Sequence, residues 1–199
     1  TAAGATFAAF PQWYATMFSG FYIALLLVLV LLIVRVVSFE WREKVDSDRW
    51  QGVWTGANVV ASYGIPLLWG IALTSLLAGV PVGEDKEFTG NVFDLFSWYS
   101  VLGGVAFMAL FAWHGSVFVT LRTTGAMRER AHHLSLRLAP FSVMLTIAFL
   151  VATLWTGVDA NDKGLVGGLV ISPLAVAAML VAWFMAGRRR AGVAFASTC

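Results

Sequence analysis

Phe21-Tyr22-Ile23-Ala24-Leu25-Leu26-Leu27-Val28-Leu29-Val30-Leu31-Leu32-Ile33-Val34 runs up to Arg35. It closes a stretch, Thr1 to Val34, that contains no Asp, Glu, Lys or Arg. As one helix that stretch would be about 51 Å long, at about 1.5 Å per residue. The hydrocarbon core of a bilayer is about 30 Å thick and takes roughly 20 apolar residues per crossing. The stretch therefore reads as two crossings, the first already under way at Thr1. It has no charged segment ahead of it, so it does not read as a signal peptide.

Outward from there, apolar runs recur at about 1–18, 20–38, 53–79, 93–121, 138–157 and 165–187. Several are apolar all round, which suits helices surrounded by lipid and other helices. Segments of about ten strictly alternating residues, the mark of a membrane barrel, are absent. The pattern predicts an all-α, polytopic membrane bundle of about six helices, forming a single transmembrane domain over 1–199. Composition agrees. The chain is 59% hydrophobic and 12% charged, where a soluble domain would be roughly 25% charged. A net charge of +2 is too small to suggest a nucleic-acid partner. The single cysteine, Cys199, excludes an internal disulfide and any cysteine-based metal centre.

Charge is informative through its placement. Arg35, Arg42, Lys44 and Arg49 follow the second run. Arg122, Arg128, Arg130 and Arg137 separate the fourth from the fifth, and Arg188, Arg189 and Arg190 follow the sixth. The other connections hold Lys86 and Lys163 among Glu84, Asp85, Glu87, Asp94, Asp159 and Asp162. Basic loops stay cytoplasmic. The loops near 40–52, 122–137 and 188–190 are therefore expected to face the cytoplasm, and those near 80–92 and 158–164 to face outward. The sequence after Arg190, Ala191 to Ala196, reads as the opening of another apolar segment. Together with the uncharged start, this gives the expectation of an internal piece of a longer membrane protein.

Polar groups inside the runs are few. His114, in Trp113-His114-Gly115-Ser116, is the one ionisable group deep in a crossing, and such a group is a functional candidate by default. Three roles stay open for it: an interhelical hydrogen bond, a proton or water-chain contact in a polar channel lining, or haem ligation. A bis-histidine haem needs a second histidine on a facing helix. The others, His132 and His133, lie in a basic loop that reads as lipid-facing. Adjacent histidines on a helix point apart and chelate poorly. Asp94 reads as a helix cap, and Glu40 and Arg42 as a snorkelling or paired end. Asn58, Ser62, Tyr63 and Thr74 read as interhelical glue. Trp13, Tyr14, Trp50, Trp54, Trp98 and Tyr99 sit near interfaces, where an aromatic belt accounts for most of them. Pro11, Pro66, Pro140 and Pro173 read as tolerated membrane-helix kinks. No phosphate-binding glycine loop, zinc motif or nucleophile elbow is present. The residues predict no catalytic, cofactor-binding or metal site carried by this chain.

Several stretches, in order, resemble subunit II of the bd-type (cytochrome bd) quinol oxidases. They are Ala2 to Pro11, Phe18-Ser19-Gly20-Phe21-Tyr22, Phe39-Glu40-Trp41-Arg42 leading to Arg49-Trp50, Gly70, Gly79-Val80-Pro81, Thr89-Gly90-Asn91, His114-Gly115 and Arg122-Thr123-Thr124-Gly125. The resemblance implies a subunit of about nine helices, of which this chain would hold the second to seventh and the start of the eighth. It implies a bacterial cytoplasmic-membrane location. It also implies pairing with a subunit I that carries two b-type haems, haem d and the quinol-oxidising loop, with a small accessory subunit in some complexes. Together these oxidise menaquinol or ubiquinol and reduce O2 to water. Subunit II ligates no haem in that family. It supports its partner, contributes to a proton path and can hold a quinone as a structural lipid. The family's proton-path Asp lies in a Trp-Asp-Gly-Asn motif immediately before the stretch that starts at Thr1, so its role transfers to no residue here. The competing reading is a membrane transporter or channel, which would call for mid-depth charges and broken, repeated helices.

Overall fold

The computed structural model describes the backbone of residues 2–79, 96–158 and 162–198, and every described element is a helix. In order they are α1 (Ala2–Ala9), α2 (Pro11–Gly20), α3 (Tyr22–Trp41), α4 (Asp48–Ala78), α5 (Trp98–Arg122), α6 (Gly125–Val158), α7 (Asp162–Gly187) and α8 (Ala191–Thr198). Four of them, α3 to α6, are long and apolar enough to cross a membrane. Ile171–Gly187 adds a shorter apolar segment. The expected helical membrane bundle is thus the observed fold class, and the chain is a multi-pass membrane protein.

Boundaries differ from the sequence reading in several places. The expected crossing at 1–18 divides at Phe10, because Pro11 has no N–H to continue the first helix and instead opens the second. Helix α4 begins at Asp48 rather than 53, with the Asp48 carboxylate in its first turn, where the helix dipole favours it. Helix α6 begins at Gly125 rather than 138. It takes the basic loop into its first turns, because Arg, Glu, Ala and Leu are all good helix formers. Pro66, Pro140 and Pro173 lie inside α4, α6 and α7. Asp94, Lys86 and the acidic residues at 84–87 lie outside the described residues.

The chain forms two compact units, Thr1–Gly104 and Val105–Cys199. In the first, α3 packs along α4. Helix α3 buries only a stripe through Ala24, Val28 and Ser38. Leu26, Leu27, Leu29, Val30, Leu32, Ile33 and Val36 stay exposed. In water so large an apolar surface would drive association, whereas in a bilayer it faces lipid. Close approach relies on small residues. Ala61 is fully buried. The Leu31 side chain lies over Gly64, and Thr74, Ile71 and Leu67 of α4 lie against Gly103 and Gly104 of α5.

The second unit centres on Trp113, its largest fully buried side chain. Val117, Ala139, Val143, Met179, Ala182, Ala186 and Ala194 surround it. One indole from α5 therefore fills space left by alanines on α6, α7 and α8. Helix α7 ends in a Schellman-type turn. The Arg190 amide donates to Met185 O at 3.0 Å and the Arg189 amide to Ala186 O at 3.0 Å. Arg189 takes the left-handed position, φ 58°, that glycine usually fills.

A β-carbon at Gly104 would stand 2.9 Å from the Leu67 carbonyl oxygen, and one at Gly103 would strike Thr74. Gly56 has open space around it. Gly104→Val or Gly103→Val should therefore cost about 1–3 kcal/mol and lower the apparent melting temperature in detergent. Gly56→Ala should leave the melting temperature unchanged or raise it, with a stability gain of up to about 1 kcal/mol.

Candidate functional site

Buried polar groups fall into two sets, one in each unit. In the first unit Asn58 of α4 donates its Nδ2 hydrogens to Ser38 Oγ at 2.8 Å and to the Arg35 carbonyl at 3.5 Å. Ser38 Oγ donates to Arg35 O at 2.8 Å, and Ser62 Oγ to Asn58 Oδ1 at 3.4 Å. Asn58 is thus a clamp between α3 and α4, as its place in the run suggested. Ser62 reaches across only through Asn58. Thr74 serves as a close-packed wall against Gly103, and Tyr63 is exposed.

Beside this clamp the indoles of Trp41, Trp50 and Trp54 pack with centroids 5.5 to 6.3 Å apart. Trp50 Nε1 donates to Trp41 O at 2.7 Å. Lys44 lies 5.8 Å over Trp41. Its ammonium also pairs with Glu40 at 3.7 Å, with both side chains mostly exposed. So the partner of Glu40 is Lys44, one turn on, and the pair contributes at most about 0.5 kcal/mol. Tyr99 is buried, 4% exposed, and is therefore a packing residue.

In the second unit His114 is half-buried in α5. Its Nδ1 lies 2.8 Å from Thr198 Oγ1 of α8, and its ring lies 4.7 Å from that of Phe195. The same hydroxyl lies 2.8 Å from the Phe195 carbonyl oxygen and 3.3 Å from Ala194 O. The Thr198 hydroxyl thus ties His114 of α5 to the end of α8, and the tautomer of the ring decides which of the two donates.

Two polar contacts escaped the sequence reading. Ser142 Oγ of α6 donates across to Ala109 O of α5 at 2.9 Å. His132, expected on a lipid-facing loop, is instead buried, 8% exposed, while His133 is exposed. Helical spacing turned one histidine inward and one outward. A Ser in an apolar run and a His beside arginines carry little signal by themselves. Only the register of α6 shows which way they face.

His132 sits in the first turns of α6, ahead of its apolar part. Burial pushes its imidazole below the usual range, and Arg189 pushes the same way. Glu129 opposes them, and His133 and Arg128 add further downward pushes. Arg189 reaches Glu129 with a forked contact, at 3.0 and 3.4 Å. Trp54 Nε1, Trp113 Nε1 and Ser135 Oγ are buried without a hydrogen-bond partner among the described residues.

Among the described residues no group of three or more His, Cys, Asp or Glu converges. The one histidine deep in a crossing, His114, meets Thr198 and lies against Phe195.

The family model for cytochrome bd terminal oxidase subunit II matches residues 1–199. The chain belongs to that family. It is 38% identical over 185 residues to the cytochrome bd ubiquinol oxidase subunit 2 of Bacillus subtilis, spanning 93% of this chain and 53% of that protein. The cytochrome bd-I ubiquinol oxidase subunit 2 of Escherichia coli K12 is 36% identical over 166 residues, 80% of this chain and 43% of that protein. A probable cytochrome oxidase subunit 2 of Haemophilus influenzae is 38% identical over 159 residues, 78% and 41% of the two chains. The chain spans about half the length of the curated relatives it matches.

The lowered His132 pKa carries a pH dependence. Folding disfavours the charged ring, so its contribution is complete above the unfolded value of about 6.5. It is lost as pH falls through the lower folded value. Between pH 7.5 and 5.5 the wild type should lose more apparent melting temperature than His132→Gln, measured side by side in detergent. Equal losses would show that other groups set the acid response.

Proposed function

We propose that this chain acts as the haem-free subunit II of a quinol:O2 oxidoreductase, in which the partner, subunit I, holds two b-type haems and haem d. The complex oxidises menaquinol or ubiquinol and reduces O2 to water. The observation that carries this reading is family membership along all 199 residues. The oxidase chemistry belongs to the haems of the partner. This chain's work is to pack against subunit I, shield its cofactors from lipid and water, and offer polar groups to a proton path. The basic segments near 40–52, 122–137 and 188–190 face the cytoplasm, by the positive-inside rule.

Within that role His114 is our candidate for the polar lining. Its Nδ1 lies 2.8 Å from Thr198 Oγ1, which fixes the ring and leaves Nε2 as the nitrogen that would face the path.

The first test is a reduced-minus-oxidised spectrum of the full-length protein, purified in mild detergent from its native membrane. Haem b and haem d bands should accompany a second, larger polypeptide and vanish when it is stripped away. A haem-free preparation without a partner would overturn the assignment and favour transport. Separately, His114→Ala should lower quinol oxidase turnover severalfold at unchanged haem content. Full turnover would remove His114 from the path and leave it as a packing residue.

A further inference from the structure

Helix α7 has two unlike faces. One, through Met179, Ala182 and Ala186, is buried in the core of its unit. The other carries Leu180, Trp183, Phe184, Gly187 and Arg188, which line a groove of about 420 Å³. These positions recur at three- and four-residue intervals, so they form one stripe along the helix, about 12 Å long at 1.5 Å per residue. The stripe is open, with Leu180 46%, Trp183 37% and Phe184 54% exposed. A β-carbon at Gly187 would meet nothing within 4 Å, so the missing side chain leaves the groove unfilled between Phe184 and the helix end.

At its mouth the Arg188 guanidinium sits 4.3 Å over the Phe184 ring. Stacking uses the face of the guanidinium and leaves its in-plane N–H groups free to donate. The ion pairs of the described residues are Lys44–Glu40 and Arg189–Glu129. Arg189 is therefore neutralised, while Arg188 and Arg190 have no carboxylate partner among the described residues.

We propose that this groove binds one acyl chain of an anionic glycerophospholipid, whose phosphate is held by Arg188. Three observations select that occupant. The lining is apolar and the rim is cationic, which matches a hydrocarbon chain under a negatively charged head. A planar, fixed guanidinium suits a phosphate's paired oxygens, and a neutral quinone head offers no charge to it. Helix partners in this protein meet at small residues, Gly103 and Gly104 or Ala139, Ala182 and Ala194. This stripe is instead built from bulky side chains around the gap at Gly187, which a flexible chain fills better than a helix. The Schellman-type end of α7 helps, because the Glu129-bound Arg189 turns the chain sharply and fixes Arg188 as the last residue over the groove. The site stands on membrane residence and geometry, and it survives or fails independently of the oxidase assignment.

The test uses the full-length chain with its co-purifying partners, in nanodiscs of mixed phosphatidylglycerol and phosphatidylcholine, with bound lipid counted by native mass spectrometry. The wild type should retain one phosphatidylglycerol more than R188Q. Its preference over phosphatidylcholine should be roughly fivefold, the equivalent of one surface arginine, and R188K should keep most of it. Gly187→Phe should fill the groove and remove the lipid while leaving the charge in place. Equal lipid counts in wild type, R188Q and Gly187→Phe would overturn the proposal. So would equal retention of the two phospholipids, or a quinone or a protein segment found on the stripe.

Discussion

Water is absent from the hydrocarbon layer, and every other feature of this chain follows from that. A peptide group there has no partner except another peptide group, so the backbone bonds within helices. The sequence can then be apolar around the whole circumference of a segment, as residues 23–34 are. Removing water also removes the hydrophobic force that would press the helices together, because lipid tails are as apolar as Leu. What remains is close packing and a few hydrogen bonds.

The two units meet this demand differently. The first uses glycines, at 64, 103 and 104, as seats for Leu31, Thr74 and Ile71, and adds the Asn58 clamp on Ser38. The second places one indole, Trp113, among alanines of three other helices. That solution leaves Trp113 Nε1 without a partner among the described residues, and an unpaired buried donor costs about 1–3 kcal/mol. The fit of the indole body into its seat must outweigh that loss. The left-handed Arg189 is a second local cost, roughly 1–2 kcal/mol for a residue with a β-carbon. Its exposed pair with Glu129 returns less than about 1 kcal/mol, so the two amide bonds of the helix end must carry the remainder.

The polar groups buried here mostly hold helices in register. His114 stands apart because it is an imidazole deep in a crossing whose ring is fixed by Thr198.

The apolar runs, the alternating basic connections and the ordered motifs made the helical membrane class and the family legible from residues alone, because lipid imposes a length and a polarity that composition records directly. The division at Phe10-Pro11 and the helical start of the basic segment at Gly125 were less visible, since both depend on local capping rather than on hydropathy. Tertiary structure alone decided that His132 is buried while His133 is not, that Ser142 reaches Ala109, and that His114 meets Thr198 across 84 residues. Where a segment is apolar all round, its sequence has no preferred face. The choice of face is made by which small residue on a neighbouring helix leaves room.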